Sequence, residues 1–206
     1  GRIHAPDDVF RAVGELKQAG IRNFNLDLMY ALPEQTLAQA ELDVRTAIDL
    51  EPRHLSHYQL TLEPGTVFHH RPPQGLPDSD SAWEMQQACQ DLIAKSGFTQ
   101  YEVSAYASPE HRCRHNLNYW QFGDYIGIGA GAHGKWTDLA DGSVWRTTRH
   151  KQPRTYLDAD AAADRLQESR QVKQSDLPFE FMLNALRLRE GFDVAEFEVT
   201  AGLPGR

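Results

Sequence analysis

The chain has 206 residues, 40% hydrophobic and 24% charged, ordinary proportions for a globular protein with room for one domain or two. Its 21 basic and 29 acidic residues give a net charge of −8, which argues against a broad nucleic-acid surface, and no apolar run approaches the roughly 20 residues of a membrane helix. Cys89 and Cys113 are too few for a disulfide framework or a cysteine-only iron–sulfur site. The chain opens on GRIHAPDDVF, in what reads as a loop entering a helix, and closes on EVTAGLPGR. A fragment of a longer protein is therefore expected, with no leader peptide and a cytoplasmic setting.

Pro6 and Asp7 suit the first turn of a helix whose Val9, Phe10, Val13 and Leu16 keep helical spacing, with Gly20 as its stop. Phe24, Leu26, Leu28 and Tyr30 then alternate with Asn25, Asp27 and Met29, which is strand periodicity. Thr36 and Gln39 predict a capping-box start for a helix striped by Leu37, Ala40, Val44, Ala47 and Ile48. HLSHYQLTLE reads as the next strand. Helix, strand, helix, strand over 6–62 implies a parallel sheet with crossover helices, in which ligands sit at the carboxyl ends of strands. Asp27 lies on the first strand and Thr61 at the end of the second. A carboxylate in an apolar strand needs a partner, and a ribose diol or a neighbouring backbone amide would serve.

EPGTVFHHRPPQGLPDSD is a loop-like connection, and its His69-His70 pair reads as solvated. Asp78, Ser79 or Asp80 caps the next helix, with Met85, Cys89, Leu92 and Ile93 inward. FTQYEVSAYA is expected as one strand, with Tyr101, Val103 and Ala105 on one side. Asp141-Gly142 marks a tight turn between short strands. Residues 151–175 read as a linker plus a surface helix. Asp176 caps a last helix, with Phe179, Met182, Leu183 and Leu186 inward.

The stretch 112–136, RCRHNLNYWQFGDYIGIGAGAHGKW, stands apart. His115, Tyr119 and Trp120 gather an imidazole, a phenol and an indole within six residues. Gly127, Gly129, Gly131 and Gly134 then strip side chains from nearly every second position. On a strand, such a face lets the backbone approach a flat ligand closely; a bulged strand beside a hydrogen-bonded histidine is the alternative. There is no GxSxG elbow, no P-loop, no CxxCH and no second cluster to complete a zinc site with His111, Cys113 and His115. A lone histidine can still hold haem iron through one axial bond.

Three runs, NLDLMYALPEQT, LSHYQLTLEPGTVF and RHNLNYWQFGDYIGIGAGAHG, closely resemble the HemW family. These are haem chaperones of the radical S-adenosylmethionine (SAM) superfamily, related to oxygen-independent coproporphyrinogen III oxidases. HNLNYW fits the family's HNxxYW pattern. The resemblance implies an α/β fold: the second half of a partial radical-SAM (β/α) barrel with the haem motif over 1–150, then the start of a small, mostly helical C-terminal module over 151–206. It implies haem as ligand, and in the full-length family SAM chelating a [4Fe-4S] cluster; the family's CxxxCxxC motif is absent from this sequence. By the same resemblance Arg2, Asp27, Thr61 and His133 would meet SAM. His115 would ligate haem iron, with Asn116, Tyr119 and Trp120 completing the pocket. The implied function is to hold haem for an acceptor haemoprotein, soluble or membrane-associated, with no catalytic residue. SAM-radical decarboxylation of coproporphyrinogen III, or a folded remnant without ligand, are the alternatives.

Overall fold

The computed structural model describes residues 5–201; Arg2 lies outside them. The chain forms two compact units, divided between Cys113 and Arg114. The boundary expected at residue 150 runs through the sheet of the second unit, between two strands that pair.

The first unit begins with α1 (Pro6–Gln18), whose Asp8 carboxylate accepts from the Ala5 amide at 2.8 Å. It continues with β1 (Asn25–Tyr30), α2 (Leu37–Asp49) and β2 (His54–Gln59). Thr36 and Gln39 close the expected box: the Thr36 hydroxyl accepts from the Gln39 amide at 3.3 Å, and Gln39 Oε1 accepts from the Thr36 amide at 2.8 Å. β1 and β2 pair in parallel, with Asn25 opposite His54 and Asp27 opposite Ser56. A single turn, α3 (Val67–His70), and the long α4 (Ser79–Lys95) follow, α4 being capped by Asp78, which accepts from the Ser81 amide at 2.8 Å.

The stretch expected as one strand is a hairpin, β3 (Thr99–Glu102) and β4 (Ala105–Ala107). Glu102 accepts from both the amide and the hydroxyl of Ser104, at 3.2 and 3.1 Å, a local bond that turns the chain. Val103 is thereby thrown outward, half-exposed, while Tyr101 and Ala105 are buried. The sheet order is β1-β2-β4-β3, with β4 antiparallel to both neighbours.

One face of this sheet is covered by helices. Ala40, Val44 and Ala47 of α2 and Met85, Cys89 and Ile93 of α4 pack on Tyr30, Leu55 and Tyr106. Leu55 and Ile93 are completely buried, each worth about 1.5–3 kcal/mol of apolar burial. His57 sits on that covered face, its ring stacked on Tyr30 at 4.6 Å, and burial pushes its pKa down to about 4.

The second unit opens with α5 (Arg114–Trp120). A three-stranded antiparallel sheet follows, β5 (His133–Thr137), β6 (Val144–Arg149) and β7 (Leu166–Gln171). The predicted turn joins β5 to β6: Asp141 accepts from the Ser143 amide at 2.8 Å, and Gly142 has φ +75. Residues 151–175, expected as a linker and surface helix, hold only short α6 (Pro153–Leu157), a 3-10 turn at Ala163–Arg165, and β7. β7 reads LQESRQ and is exposed nearly throughout, so it carries none of the alternation that marks a half-buried strand.

The last helices are α7 (Leu177–Ala185) and α8 (Val194–Ala201). α7 buries Leu177, Phe181 and Ala185, while Phe179, Leu183 and Leu186 are exposed, the reverse of the sequence expectation. The sequence offers two apolar stripes on this helix. Phe181 wins because Phe122, Phe192 and Phe197 stack around its ring at 5.3 to 5.6 Å.

Candidate functional site

With α2 and α4 on one face of the first sheet, strand alternation sends Asn25, Asp27, His54 and Ser56 to the other. There the sheet is polar and hydrogen-bonded. Asn25 Nδ2 donates to Asp27 Oδ1 at 2.9 Å. Asn25 Oδ1 accepts from Ser56 Oγ at 3.2 Å and lies 2.6 Å from His54 Nδ1. His54 Nε2 lies 2.8 Å from the Tyr101 hydroxyl. His54 and Tyr101 are buried, whereas Asp27 is exposed. Asp27 also borders a groove along β1, whose other walls include Val9, Phe10, Met29 and Tyr58. Thr61 lies exposed two residues past the end of β2.

Sequence reasoning singled out Asp27 and Thr61 but not Asn25, His54, Ser56 or Tyr101. The available signal was the alternation itself, because Asn25 shares Asp27's face. The cross-strand partner His54 required the register.

The HNLNYW segment is helical, so His115 and Tyr119, four residues apart, share one face. Their rings meet edge-on at 4.7 Å, and Tyr119 lies 4.3 Å from Tyr125. His115 is exposed, while Asn116, Tyr119 and Trp120 are half-buried. The Arg187 guanidinium lies 4.2 Å over the Trp120 ring, and Trp120 Nε1 is buried without an acceptor among the described residues. Tyr125 is held in turn by Arg146, whose Nη1 donates to its hydroxyl at 3.0 Å while Nε donates to Glu180 at 3.0 Å. Other histidines are differently placed: His111 Nδ1 is 2.6 Å from the Pro109 carbonyl, and His69 and His70 are exposed on α3. His133 opens β5, beside Thr148 at 3.4 Å, and so belongs to the second unit while Asp27 and Thr61 belong to the first.

The glycine run is not a strand before His133. Gly129 and Gly131 have φ of +108 and +73, and Ile126 and Ile128 point outward. The close approach it permits is to the chain itself: a side chain on Gly127 would meet the His133 carbonyl oxygen.

No protein-family model matches the chain. Among curated proteins it is 49% identical over 203 residues to the heme chaperone HemW of Escherichia coli K12 and 47% identical to that of Haemophilus influenzae. Both matches take in 98% of this chain. Over nearly all of its length the chain is similar to these HemW proteins. It spans about half the length of these HemW relatives, 52% and 51%. Its fold is similar to that of the E. coli coproporphyrinogen III oxidase HemN, described as a radical SAM enzyme, with a TM-score of 0.75 at 18% identity, covering 49% of that chain. The α/β architecture is accordingly shared with about half of that enzyme's chain.

An exposed imidazole beside an aromatic wall fits haem iron. Of the two cysteines, Cys89 is fully buried among apolar side chains, its thiol pushed up to about 11, and Cys113 is half-buried. Among the described residues no three His, Cys, Asp or Glu side chains gather as a metal site, and no helix is long and apolar enough to cross a membrane.

Proposed function

We propose that this chain is a haem-binding module of a haem chaperone, in which His115 supplies an axial nitrogen and Tyr119 packs against the porphyrin. The carrying observation is the edge-on His115–Tyr119 pair on an exposed helical face, continued by Tyr125. Asn116, on the same helix, reaches a propionate or orients the backbone. The held haem passes to an acceptor haemoprotein in the cytoplasm. In the first unit, Asp27 accepts from the ribose of SAM and Thr61 lines the same pocket. The groove beside Asp27, largely apolar but with the Asp27 and Asp43 carboxylates in its lining, suits a nucleoside.

Hemin titration of the intact chain tests this reading. The imidazole-type Soret band is expected in the parent and in Cys113→Ala, and is expected to vanish in His115→Ala. An unaltered spectrum and affinity in His115→Ala, with loss in Cys113→Ala, would assign the iron to a thiolate instead.

A further inference from the structure

We infer that Tyr101, His54 and Asn25 form a one-directional hydrogen-bond relay that holds the Asp27 carboxylate in position for a ligand diol. The inference rests on the reading of Asp27 as the ribose acceptor. The direction follows from chemistry alone. A carboxylate oxygen only accepts, so the Asn25 group 2.9 Å from Asp27 Oδ1 is its NH2. That fixes the amide, and its oxygen faces His54 Nδ1 at 2.6 Å and Ser56 Oγ at 3.2 Å. An amide oxygen also only accepts, so His54 carries its proton on Nδ1. Nε2 is then bare and accepts from the Tyr101 hydroxyl at 2.8 Å. Every donor and acceptor along the line is determined by the one before it.

The two inner members are held rigidly: His54 is 5% exposed and Tyr101 1%. Burial keeps the imidazole below its ordinary pKa, against the pull of Glu102 and Asp27, which favours the neutral ring the relay needs. Asp27 at the outer end is exposed, and a carboxylate there would rotate broadly about its last torsion. Tying Oδ1 to Asn25 leaves Oδ2 facing outward in one orientation, ready for a hydroxyl. Asn25, His54 and Tyr101 are thus positioning residues that act through Asp27. A purely structural network of buried polar groups would need no exposed carboxylate at its end.

The relay makes a ligand-free signature. In nitrogen-15 NMR of the intact chain at neutral pH, His54, assigned by loss of its signals in His54→Asn, should show a protonated Nδ1 and a bare Nε2. This is the minor tautomer of a free neutral histidine side chain. A protonated Nε2 would overturn the relay. A second arm, equilibrium dialysis with S-adenosylhomocysteine, separates the relay from the ribose reading. Asp27→Ala and Asn25→Ala should each weaken binding about tenfold, and Asn25→Ala should add nothing once Asp27 is Ala. Weakening by Asp27→Ala alone sinks the relay and keeps the ribose reading. Equal binding by the parent and Asp27→Ala, or none by the parent, removes the ribose reading, and with it the ligand role of the relay.

Discussion

His57 shows how much of this protein's behaviour hangs on single placements. Its ring is buried against Tyr30, its Nδ1 has no partner among the described residues, and burial lowers its pKa from 6.5 to about 4. Between those values the unfolded chain takes up a proton that the folded chain refuses, so stability rises with pH across that window. It is undiminished above 6.5 and falls as the pH drops towards 4, by up to about 3 kcal/mol. Urea unfolding at pH 7 and pH 4.5 should reveal this loss in the parent and a clearly smaller one in His57→Phe, which keeps the stack without the proton. An equal loss in both would mean that His57 is not the titrating group. Gly127 is a second such placement. An added Cβ would collide with the His133 carbonyl oxygen, a backbone atom that cannot swing aside. Gly127→Ala should therefore lower the ligand-free melting temperature, at an overpacking cost of about 1–3 kcal/mol. Unchanged melting with weaker hemin binding would return this glycine to a ligand face.

Among the elements, those whose burial is one-sided were legible in the sequence. β1, α2, β2 and α4 each present one apolar stripe of the right period to a single core, and the Thr36–Gln39 box announces where α2 starts. The β3–β4 hairpin was not legible, because its turn depends on Glu102 bonding to Ser104 where no glycine or proline signals a bend. β7 was hidden by its exposure. The reversed face of α7 has a different cause: Phe179 and Phe181 are equally apolar, and the choice between them rests on Phe122, Phe192 and Phe197, which come from elsewhere in the chain. That choice is measurable. Phe181→Ala should cost about 3–5 kcal/mol, as large core truncations do, whereas Phe179→Ala should stay within about 0.5 kcal/mol. Similar losses in the two variants would show that both stripes are packed in solution.

At the scale of the whole molecule, the candidate site was half legible. The residues in runs, Asp27 within DLMYALPEQT and His115 within HNLNYW, stand out because their neighbours in sequence are their neighbours in space. Asn25, His54 and Tyr101 come together only through strand register, which no local pattern encodes. The contact structure adds a division absent from the sequence reading: Asp27 belongs to the unit that ends at Cys113, and His115 to the unit that begins at Arg114. Each residue is held by partners within its own unit, Asp27 by Asn25 and His115 by Tyr119. Residues that share no partner are expected to act additively. Hemin affinity should therefore be unchanged in Asp27→Ala, lost in His115→Ala, and no lower in the double variant than in His115→Ala alone. Binding of S-adenosylhomocysteine should show the mirror pattern. If Asp27→Ala weakened hemin binding tenfold while circular dichroism and melting stayed the same, the two sites would be coupled, and the nucleoside end would have to be counted among the determinants of haem binding.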